Sequence, residues 1–225
     1  MFTKYGYSTL GIIAITTFVF ISISFFTSNN FLKSILTILP VIFLIFSMYF
    51  FRDPERTAPG AENIVVSPAD GKVLFIKNVY DNKYINGKAK QISIFMSPLD
   101  VHVNRIPIDG LLEYVKYHKG EFVAAFEDKA SESNERCEFG IKSKYGKILF
   151  TQVAGFIARR IVYEIKPGDT VKKGERFGMI KFGSRVDIVV PEEWSPTVIK
   201  GEHVSAGKTI LFECTACKPG GQDKK

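Results

Sequence analysis

A serine hydroxyl placed directly after a glycine is the feature of this sequence that most clearly offers chemistry. Ser184 follows Gly183 in the segment 182–187, Phe-Gly-Ser-Arg-Val-Asp. Alone, the pair predicts only a turn, in which glycine supplies a positive φ and serine bonds to the backbone. Asp70, in a Ser-Pro-Ala-Asp-Gly loop, and His102, in a Ser-Pro-Leu-Asp-Val-His loop, extend that interpretation. An acid, a base and a hydroxyl far apart in sequence are typical of a catalytic site assembled by folding.

Two reactions are open to such a serine. In the first, Ser184 is a hydrolase nucleophile, with His102 as its base and Asp70 as the residue that orients the base. That chemistry favours a Gly-x-Ser-x-Gly elbow between a strand and a helix, and the sequence around Ser184 lacks this pattern. In the second, the hydroxyl attacks the carbonyl of Gly183, whose missing Cβ leaves room for the approach. An N→O acyl shift, β-elimination and hydrolysis then leave a pyruvoyl group, which acts as an electron sink.

The first 51 residues contain two apolar segments and no Asp or Glu. Residues 10–26 and 34–51, joined by a polar turn, are each near the lower length limit for a helix that crosses a bilayer core. They predict a membrane hairpin rather than a cleaved signal peptide, because no small-x-small cleavage site follows the first segment. Lys4 and the charged run 52–56 flank the hairpin, so the positive-inside rule predicts a cytoplasmic location for both ends. A shallow, re-entrant insertion stays open.

From Arg52 onward the sequence predicts a β domain. Short apolar runs separated by Gly, Pro, Asn and Asp are typical of strands. We predict strands at residues 64–66, 73–76, 91–95, 148–153 and 185–190. The one helical candidate is 124–134. The predicted fold is therefore mainly β, with few short helices, and the predicted division is a hairpin over 1–51 and a catalytic domain over 52–225.

An internal repeat refines this fold class. The pattern Gly-acidic-x-Val-x-x-Gly occurs at 168–174 and again, 33 residues later, at 201–207. Two tight turns around a buried valine predict a pseudo-symmetric, barrel-sandwich-like domain similar to the halves of lipoyl and biotinyl carrier domains. Lys181 lies near the place of a carrier lysine. A non-enzymatic, membrane-tethered carrier module is therefore an alternative, although the residues beside Lys181 differ from those of a modified site.

The net charge and the cysteine spacing limit which partners and ligands the chain is expected to bind. The chain has 30 basic and 23 acidic residues, a net charge of +7. This modest surplus of positive charge suits binding to anionic lipid head groups. The sequence lacks a basic run interleaved with aromatic residues, so it gives no indication of nucleic acid binding. Cys214 and Cys217 have the C-x-x-C spacing, but no second pair completes a metal site, so no metal is expected. His118 and His203 are predicted to lie at the surface.

Five motifs occur in order between residues 51 and 190. They are Phe-Arg-Asp-Pro-Glu-Arg at 51–56, Ser-Pro-Ala-Asp-Gly at 67–71, Ser-Pro-Leu-Asp-Val-His at 97–102, Lys-Ala-Ser at 129–131 with Asn-Glu-Arg at 134–136, and Phe-Gly-Ser-Arg-Val-Asp at 182–187. Together they resemble the phosphatidylserine decarboxylases, in their short bacterial and archaeal form. The resemblance implies that the chain cleaves itself between Gly183 and Ser184. The products would be a β chain, 1–183, and an α chain, 184–225, which stay together as a heterodimer; further dimerisation is left open.

The resemblance also implies roles for single residues. Ser184 would become the covalent pyruvoyl cofactor that forms a Schiff base with the amine of the serine head group. Asp70 and His102 would drive the self-processing, and His102 would protonate the carbanion after CO2 leaves. Arg105 stands where longer members have a second histidine, so whether His102 alone serves both steps is left open. Arg105 and Arg185 are expected to bind the phosphate or carboxylate of the lipid.

The implied function is the conversion of phosphatidylserine to phosphatidylethanolamine, a carboxy-lyase reaction of phospholipid biosynthesis. The hairpin and its flanking charges predict that this zymogen lies at the cell membrane with its catalytic domain on the cytoplasmic side, and the resemblance implies a phospholipid as substrate. Archaetidylserine, with ether-linked chains, is an alternative substrate, because its reacting head group is the same.

Overall fold

The computed structural model describes most of the chain in two compact units. The described residues are 1–120, 134–155, 161–181 and 184–215. Gly183, Cys217 and nearly all of the predicted helix at 124–134 lie outside them. The two units are Met1–Glu55 and Arg56–Lys225.

The first unit is a pair of apolar helices. Helix α1 covers Tyr7–Phe25 and helix α2 covers Asn30–Phe50. At about 1.5 Å per residue these lengths match a bilayer core of about 30 Å. Asn29 begins α2 as its N-cap, since its side-chain oxygen accepts hydrogen bonds from the backbone N–H groups of Phe31 and Leu32. Both helices are long and apolar enough to cross a membrane, and most of their side chains are exposed.

Hydroxyl groups link the two helices. The Thr37 hydroxyl donates to the Ser24 hydroxyl at 3.2 Å, and the Thr17 hydroxyl donates to the carbonyl of Pro40 at 3.4 Å. In a helix pair with apolar surroundings, such bonds hold the neighbours together. At the outer ends of the hairpin, the N–H of Thr3 donates to the carbonyl of Phe51 at 2.9 Å. The chain therefore enters and leaves this hairpin at the same end.

The second unit is built from strands. In chain order they are β1 (Ile64–Val66), β2 (Gly71–Asp81), β3 (Gly87–Met96), β4 (Val103–Arg105), β5 (Gly110–His118), β6 (Arg136–Ser143), β7 (Gly146–Ala154), β8 (Ile161–Tyr163), β9 (Thr170–Val171), β10 (Arg176–Ile180), β11 (Ser184–Pro191), β12 (Ser195–Pro196), β13 (His203–Val204) and β14 (Ile210–Glu213). Eight of them form one sheet in the order β13-β2-β3-β11-β7-β6-β5-β9. Two three-stranded sheets, β1-β14-β12 and β4-β10-β8, complete the unit. The mainly β prediction is confirmed, and each of the five predicted strands coincides with or lies within an observed one.

The inner face of the large sheet carries the apolar core. Alternate residues of β11, namely Val186, Ile188 and Val190, belong to it because side chains alternate between faces along a strand. Phe139 on β6 lies 5.4 Å, between ring centroids, from Phe177 on β10. The small sheet β4-β10-β8 therefore packs against the inner face of the large one, which gives the sandwich-like architecture.

The repeat lies at the two edges of the large sheet. The first copy contains β9, which pairs with β5, and the second contains β13, which pairs with β2. All four pattern glycines have a positive φ, and the valine between each pair is buried. A Cβ added to Gly207 would lie 3.5 Å from the Cα of Gly174. The last turns of the two copies are therefore in contact, although their strands are at opposite edges, and the sheet curls to bring them together.

The pseudo-symmetry extends to a second pair of segments, 39 residues apart, that sequence inspection missed. Pro-Ala-Asp-Gly at 68–71 is matched by Pro-Ile-Asp-Gly at 107–110. Asp70 accepts the backbone N–H of the second repeat copy at Ala206 (2.7 Å), and Asp109 accepts the N–H of the first copy at Lys173 (2.6 Å). Each aspartate thus joins the start of a long strand to one copy of the repeat.

Candidate active site

Ser184 is the first residue of β11 and lies between two strands. Its backbone pairs with Met96 at the end of β3 and with Ala154 at the end of β7. Its side chain is fully buried, and it shares the inner face with Val186. Ladders on both sides position this residue far more rigidly than the turn that the Gly-Ser pair alone predicts. Gly183 lies outside the described residues.

The hydroxyl of Ser184 donates to the sulfur of Met96 at 3.3 Å. A thioether is a weak acceptor, so the hydroxyl gives up little when it turns toward a stronger base. The side-chain amide of Asn104, on β4, also donates to this sulfur, at 3.7 Å. The three residues therefore meet around one soft atom at the end of β3.

His102 lies in the loop that leaves β3 at Met96 and enters β4. A tight turn shapes this loop, because the N–H of Ser97 donates to the carboxylate of Asp100 at 2.7 Å. Nδ1 of His102 lies 2.9 Å from the carbonyl oxygen of Asp100, and the histidine is fully buried. A carbonyl only accepts, so Nδ1 carries the proton and Nε2 is the basic nitrogen.

Asp70 lies in the loop before β2 and is paired with Arg56. The two Nη atoms of Arg56 donate to the two carboxylate oxygens of Asp70, and both side chains are nearly buried. Oδ1 of Asp70 also accepts the N–H of Ala206, and the catalytic role of Asp70 stays a prediction. His102 is oriented by the Asp100 carbonyl rather than by this carboxylate.

Gly71 explains why the loop with Asp70 can lie so close to β3. Its φ is +152°, and a Cβ at this position would lie 2.0 Å from the carbonyl oxygen of Phe95. Only glycine allows that approach. The carbonyl of Pro68 in the same loop accepts from the backbone N–H of Arg105 at 2.9 Å. Asp70 therefore lies at the same end of the sheet as Ser184.

The two candidate substrate-binding arginines differ in placement. Arg105 donates through Nη1 to the carbonyl of Gly174 at 2.8 Å and packs over Gly207. Arg185 follows Ser184 and so lies on the opposite, outer face of β11. It is fully buried there, with its Nε 2.9 Å from Oδ1 of Asp187. The structure therefore turns Arg185 away from Ser184, and the lipid-binding role of either arginine stays a prediction.

Sequence inspection missed three amide side chains near Ser184. Asn104 accepts a hydrogen bond at Oδ1 from Nε2 of Gln152, at 2.8 Å. Asn134 donates to the carbonyl of Ala154, the strand partner of Ser184, at 2.7 Å. All three amides are fully buried. A signal was present for Gln152, because it alternates with the apolar residues Ile148, Phe150 and Ala154 along the strand.

Buried polar side chains lie on the outer face of the sheet, opposite the face to which Ser184 points. Glu138 on β6 is fully buried and binds Lys83 (2.5 Å), Tyr114 (3.0 Å) and His118 (3.1 Å). Burial alone raises the pKa of Glu138, but the Lys83 ammonium and the other donors outweigh it, so this pKa is lowered. His118 is thus half-buried and paired, unlike the solvated imidazole expected from sequence, whereas His203 is exposed as predicted.

A cavity of about 300 Å³ opens on this outer face. It is lined by the Asp81 turn, Glu138 and Asp187, among others. Since Ser184 points to the inner face, this cavity is separate from the candidate active site. Cys214 is buried, with its N–H donating to the carbonyl of Asn63, and Cys217 lies outside the described residues.

Taken together, the geometry defines a mainly β enzyme domain with a buried serine at the start of a central strand and a buried histidine in the adjacent loop. The phosphatidylserine decarboxylase family model matches residues 43–212. Several relatives described as phosphatidylserine decarboxylase proenzymes also match this chain, at similar sequence identities. That of Chlorobium limicola is 45% identical over 94% of this chain and 99% of its own length. That of Salinibacter ruber is 51% identical over 75% of each chain.

The chain belongs to the phosphatidylserine decarboxylase family and is a decarboxylase. A third relative, from Carboxydothermus hydrogenoformans, is 48% identical over 78% of this chain and 83% of its own. This membership overturns the alternative of a non-enzymatic carrier module. The repeat that suggested such a module is real, but it serves to close the sheet around the core.

Proposed function

We propose that this chain cleaves itself between Gly183 and Ser184 and then decarboxylates phosphatidylserine to phosphatidylethanolamine. The observation that carries the proposal is the placement of Ser184. This residue starts a central strand, is fully buried and directs its hydroxyl to a weak sulfur acceptor. The names of the relatives, which are proenzymes of this activity, support the same conclusion.

The cleavage needs only groups of the chain and one water molecule. The Ser184 oxygen bonds to the carbonyl carbon of Gly183, the peptide C–N bond breaks, and an ester replaces the amide. A base then removes the α proton of residue 184, and the carboxylate of Gly183 leaves. The resulting dehydroalanine is then hydrolysed: the oxygen of water replaces its nitrogen, and the nitrogen departs as ammonia. The products are a chain ending at Gly183 and one beginning with a pyruvoyl group.

His102 is the base that we assign to these steps. Its Nδ1 is held by the Asp100 carbonyl, so Nε2 receives the proton. Asn104 and Gln152 form the polar part of the inner face beside Ser184. The Arg56–Asp70 pair anchors the loop before β2, and this arrangement supports a positioning role for Asp70 rather than direct proton transfer.

The described residues suit a pyruvoyl group at position 184. The ladders to β3 and β7 hold the new chain end on both sides, and the burial of this position separates it from bulk solvent. A pyruvoyl carbonyl supplies an electron sink for the pair left behind when CO2 departs. His102 returns a proton from Nε2 to the carbon that lost CO2. The overall reaction takes up one proton and releases one CO2 for each lipid.

The substrate is a membrane lipid, and the hairpin suits attachment to its bilayer. We propose that both hairpin ends, and with them the catalytic unit, lie on the cytoplasmic side, because Lys4 and the charged run 52–56 flank the apolar helices. Both fragments remain one heterodimer, since β11 is inserted between β3 and β7. Diacyl lipid is the proposed substrate, and labelled diether lipid with the same head group tests the alternative.

Intact-mass analysis of the purified protein tests the cleavage. We expect a fragment that begins at residue 184 and is lighter than a serine terminus by the mass of ammonia. Ser184→Ala should stay full length, whereas the exposed Ser195→Ala, a matched control, should be cleaved like the wild type. An uncut 25.3 kDa chain as the only active species would contradict the proposal.

A further inference from the structure

Gln152 carries a buried oxygen that accepts no hydrogen bond from the described residues. The side chain lies on the inner face of β7 and is fully buried. Its Nε2 donates to Oδ1 of Asn104 at 2.8 Å, but its Oε1 is buried without a donor. Buried polar atoms of native proteins are nearly always paired, so this oxygen calls for an explanation.

The neighbouring groups determine which way the amide of Gln152 faces. Nδ2 of Asn104 donates to the carbonyl of Pro68 at 3.3 Å and to the sulfur of Met96. Because the Asn104 nitrogen is used in this way, its oxygen faces Gln152 and requires a donor there. Rotating the Gln152 amide would place two acceptor oxygens against each other. The oxygen of Gln152 is therefore the atom that is left over.

The position of this oxygen is next to the candidate active site. Val186 on β11 pairs with Gln152, and Ser184, two residues earlier on the same face, pairs with Ala154. Diagonal neighbours of this kind have Cα atoms about 7–8 Å apart, within reach of a long side chain. A Cβ on Gly178 would lie 3.3 Å from Nε2 of Gln152, so β10 closes over the amide.

We propose that Oε1 of Gln152 accepts a hydrogen bond from the amino nitrogen of the phospholipid head group. An amide oxygen only accepts hydrogen bonds, and the phosphate and carboxylate of the head group also only accept. The amine is the charged-group donor that the head group offers, so it is the complementary partner. This inference rests on the proposed function and names the residue that recognises the substrate amine.

Gln152→Met tests the inference, because it keeps the length of the side chain and removes the acceptor. It also removes the Nε2 donor to Asn104, a loss that should affect the binding of both lipids equally. We expect the KM for phosphatidylserine to rise about tenfold. The inhibition constant of an analogue lipid, with hydrogen in place of the amine, should change less than twofold. Cleavage, measured by intact mass, and the carbonyl content, measured with phenylhydrazine, should stay at the wild-type level. Gln91→Met, on the outer face of β3, is the matched control and should change none of these quantities.

An equal loss of affinity for both lipids, or no loss for either, would overturn the inference and leave the proposed function intact. Absence of cleavage and of a reactive carbonyl in the wild type would instead overturn the proposed function. If Gln152→Met is not processed, Gln152→Glu provides the test. A carboxylate beside the amine would hold its proton more firmly, so the pH optimum of kcat/KM should move upward. An unchanged optimum in a processed Gln152→Glu protein would overturn the inference.

Discussion

At the scale of single residues, the tautomer of His102 decides what this residue can do. Nδ1 lies 2.9 Å from the carbonyl oxygen of Asp100, two residues earlier, so the loop itself orients the ring. In many sites an aspartate carboxylate has that task. Here the carboxylate of Asp70 is bound by Arg56 and by the backbone of Ala206. In the function that we propose, the catalytic unit therefore consists of Ser184 and His102, and a backbone carbonyl orients the histidine.

His102→Asn tests the roles of the two ring nitrogen atoms separately. The asparagine amide keeps a donor near the position of Nδ1 and lacks the basic Nε2. We expect the half-time of self-cleavage, followed by gel electrophoresis, to lengthen by about 10²–10⁴-fold, with little change in thermal stability. His203→Asn, at an exposed histidine, should leave the half-time unchanged. Cleavage of His102→Asn at the wild-type rate would exclude His102 as the base.

At the scale of the elements, the pseudo-symmetric pair of Pro-x-Asp-Gly segments provides an internal comparison. Asp70 and Asp109 accept equivalent backbone N–H groups from the two copies of the repeat. Only Asp70 has, in addition, the nearly buried ion pair with Arg56. Any effect of Asp70 beyond joining these two elements must therefore arise from its ion pair with Arg56 or from its proximity to the candidate active site.

Asp70→Asn and Asp109→Asn form a matched pair of variants. Asp109→Asn should cost about 1 kcal/mol of unfolding free energy, because a single, exposed hydrogen bond is weakened. Asp70→Asn should cost about 3 kcal/mol, because the Arg56 charge then stays buried without its partner. Urea unfolding of Ser184→Ala precursors measures both values without interference from cleavage. A stable Asp70→Asn protein that fails to cleave would show instead that Asp70 acts in the chemistry.

The outer face of the sheet contributes an acid-sensitive element. The pKa of Glu138 is lowered in the folded state, since donors led by Lys83 outweigh the effect of burial. Its contribution to stability is therefore complete above its ordinary value of 4.5 and is lost as the pH falls through the lower, folded pKa. We expect Glu138→Gln to lower the unfolding free energy by about 2 kcal/mol at pH 7. The difference from the wild type should shrink below about pH 4.5. The exposed Glu193→Gln is the control, and a difference that stays constant with pH would contradict this account.

At the scale of the whole molecule, the proposed cleavage would fall at the N-terminal end of a central strand. Strands β11 to β14 follow Ser184, and β11 pairs along its length with β3 and β7. The small fragment is thus an inner part of the sheet rather than an appendage. The first unit, with its two apolar helices, stays covalently attached to the large fragment.

The two fragments should therefore stay together without a covalent link. We expect them to elute as one species in size-exclusion chromatography in mild detergent and to separate only in denaturant. The reason is that release would expose the buried inner face of β11 and break both of its ladders. Recovery of the small fragment by itself under native conditions would contradict this arrangement.

Local patterns in the sequence predicted the hairpin, the central strands, the repeat and the Gly-Ser bond. Such features depend on composition, on periodicity and on motifs that a few neighbouring residues carry. The strand β6 was missed because its charged and apolar residues, with a glycine among them, give no clear apolar run. That strand nonetheless carries Glu138, which only the fold brings to Lys83 and Tyr114.

What the sequence by itself determined is the kind of chain this is: a β-rich decarboxylase with an apolar hairpin and one candidate serine. Only the tertiary structure decided which way each side chain points. Arg185 points away from Ser184, Asp70 forms an ion pair with Arg56, and Gln152 donates a hydrogen bond to Asn104. The physical reason is register. Each strand residue faces one side or the other according to its long-range pairing, and a pairing between distant segments is not recorded in either segment alone.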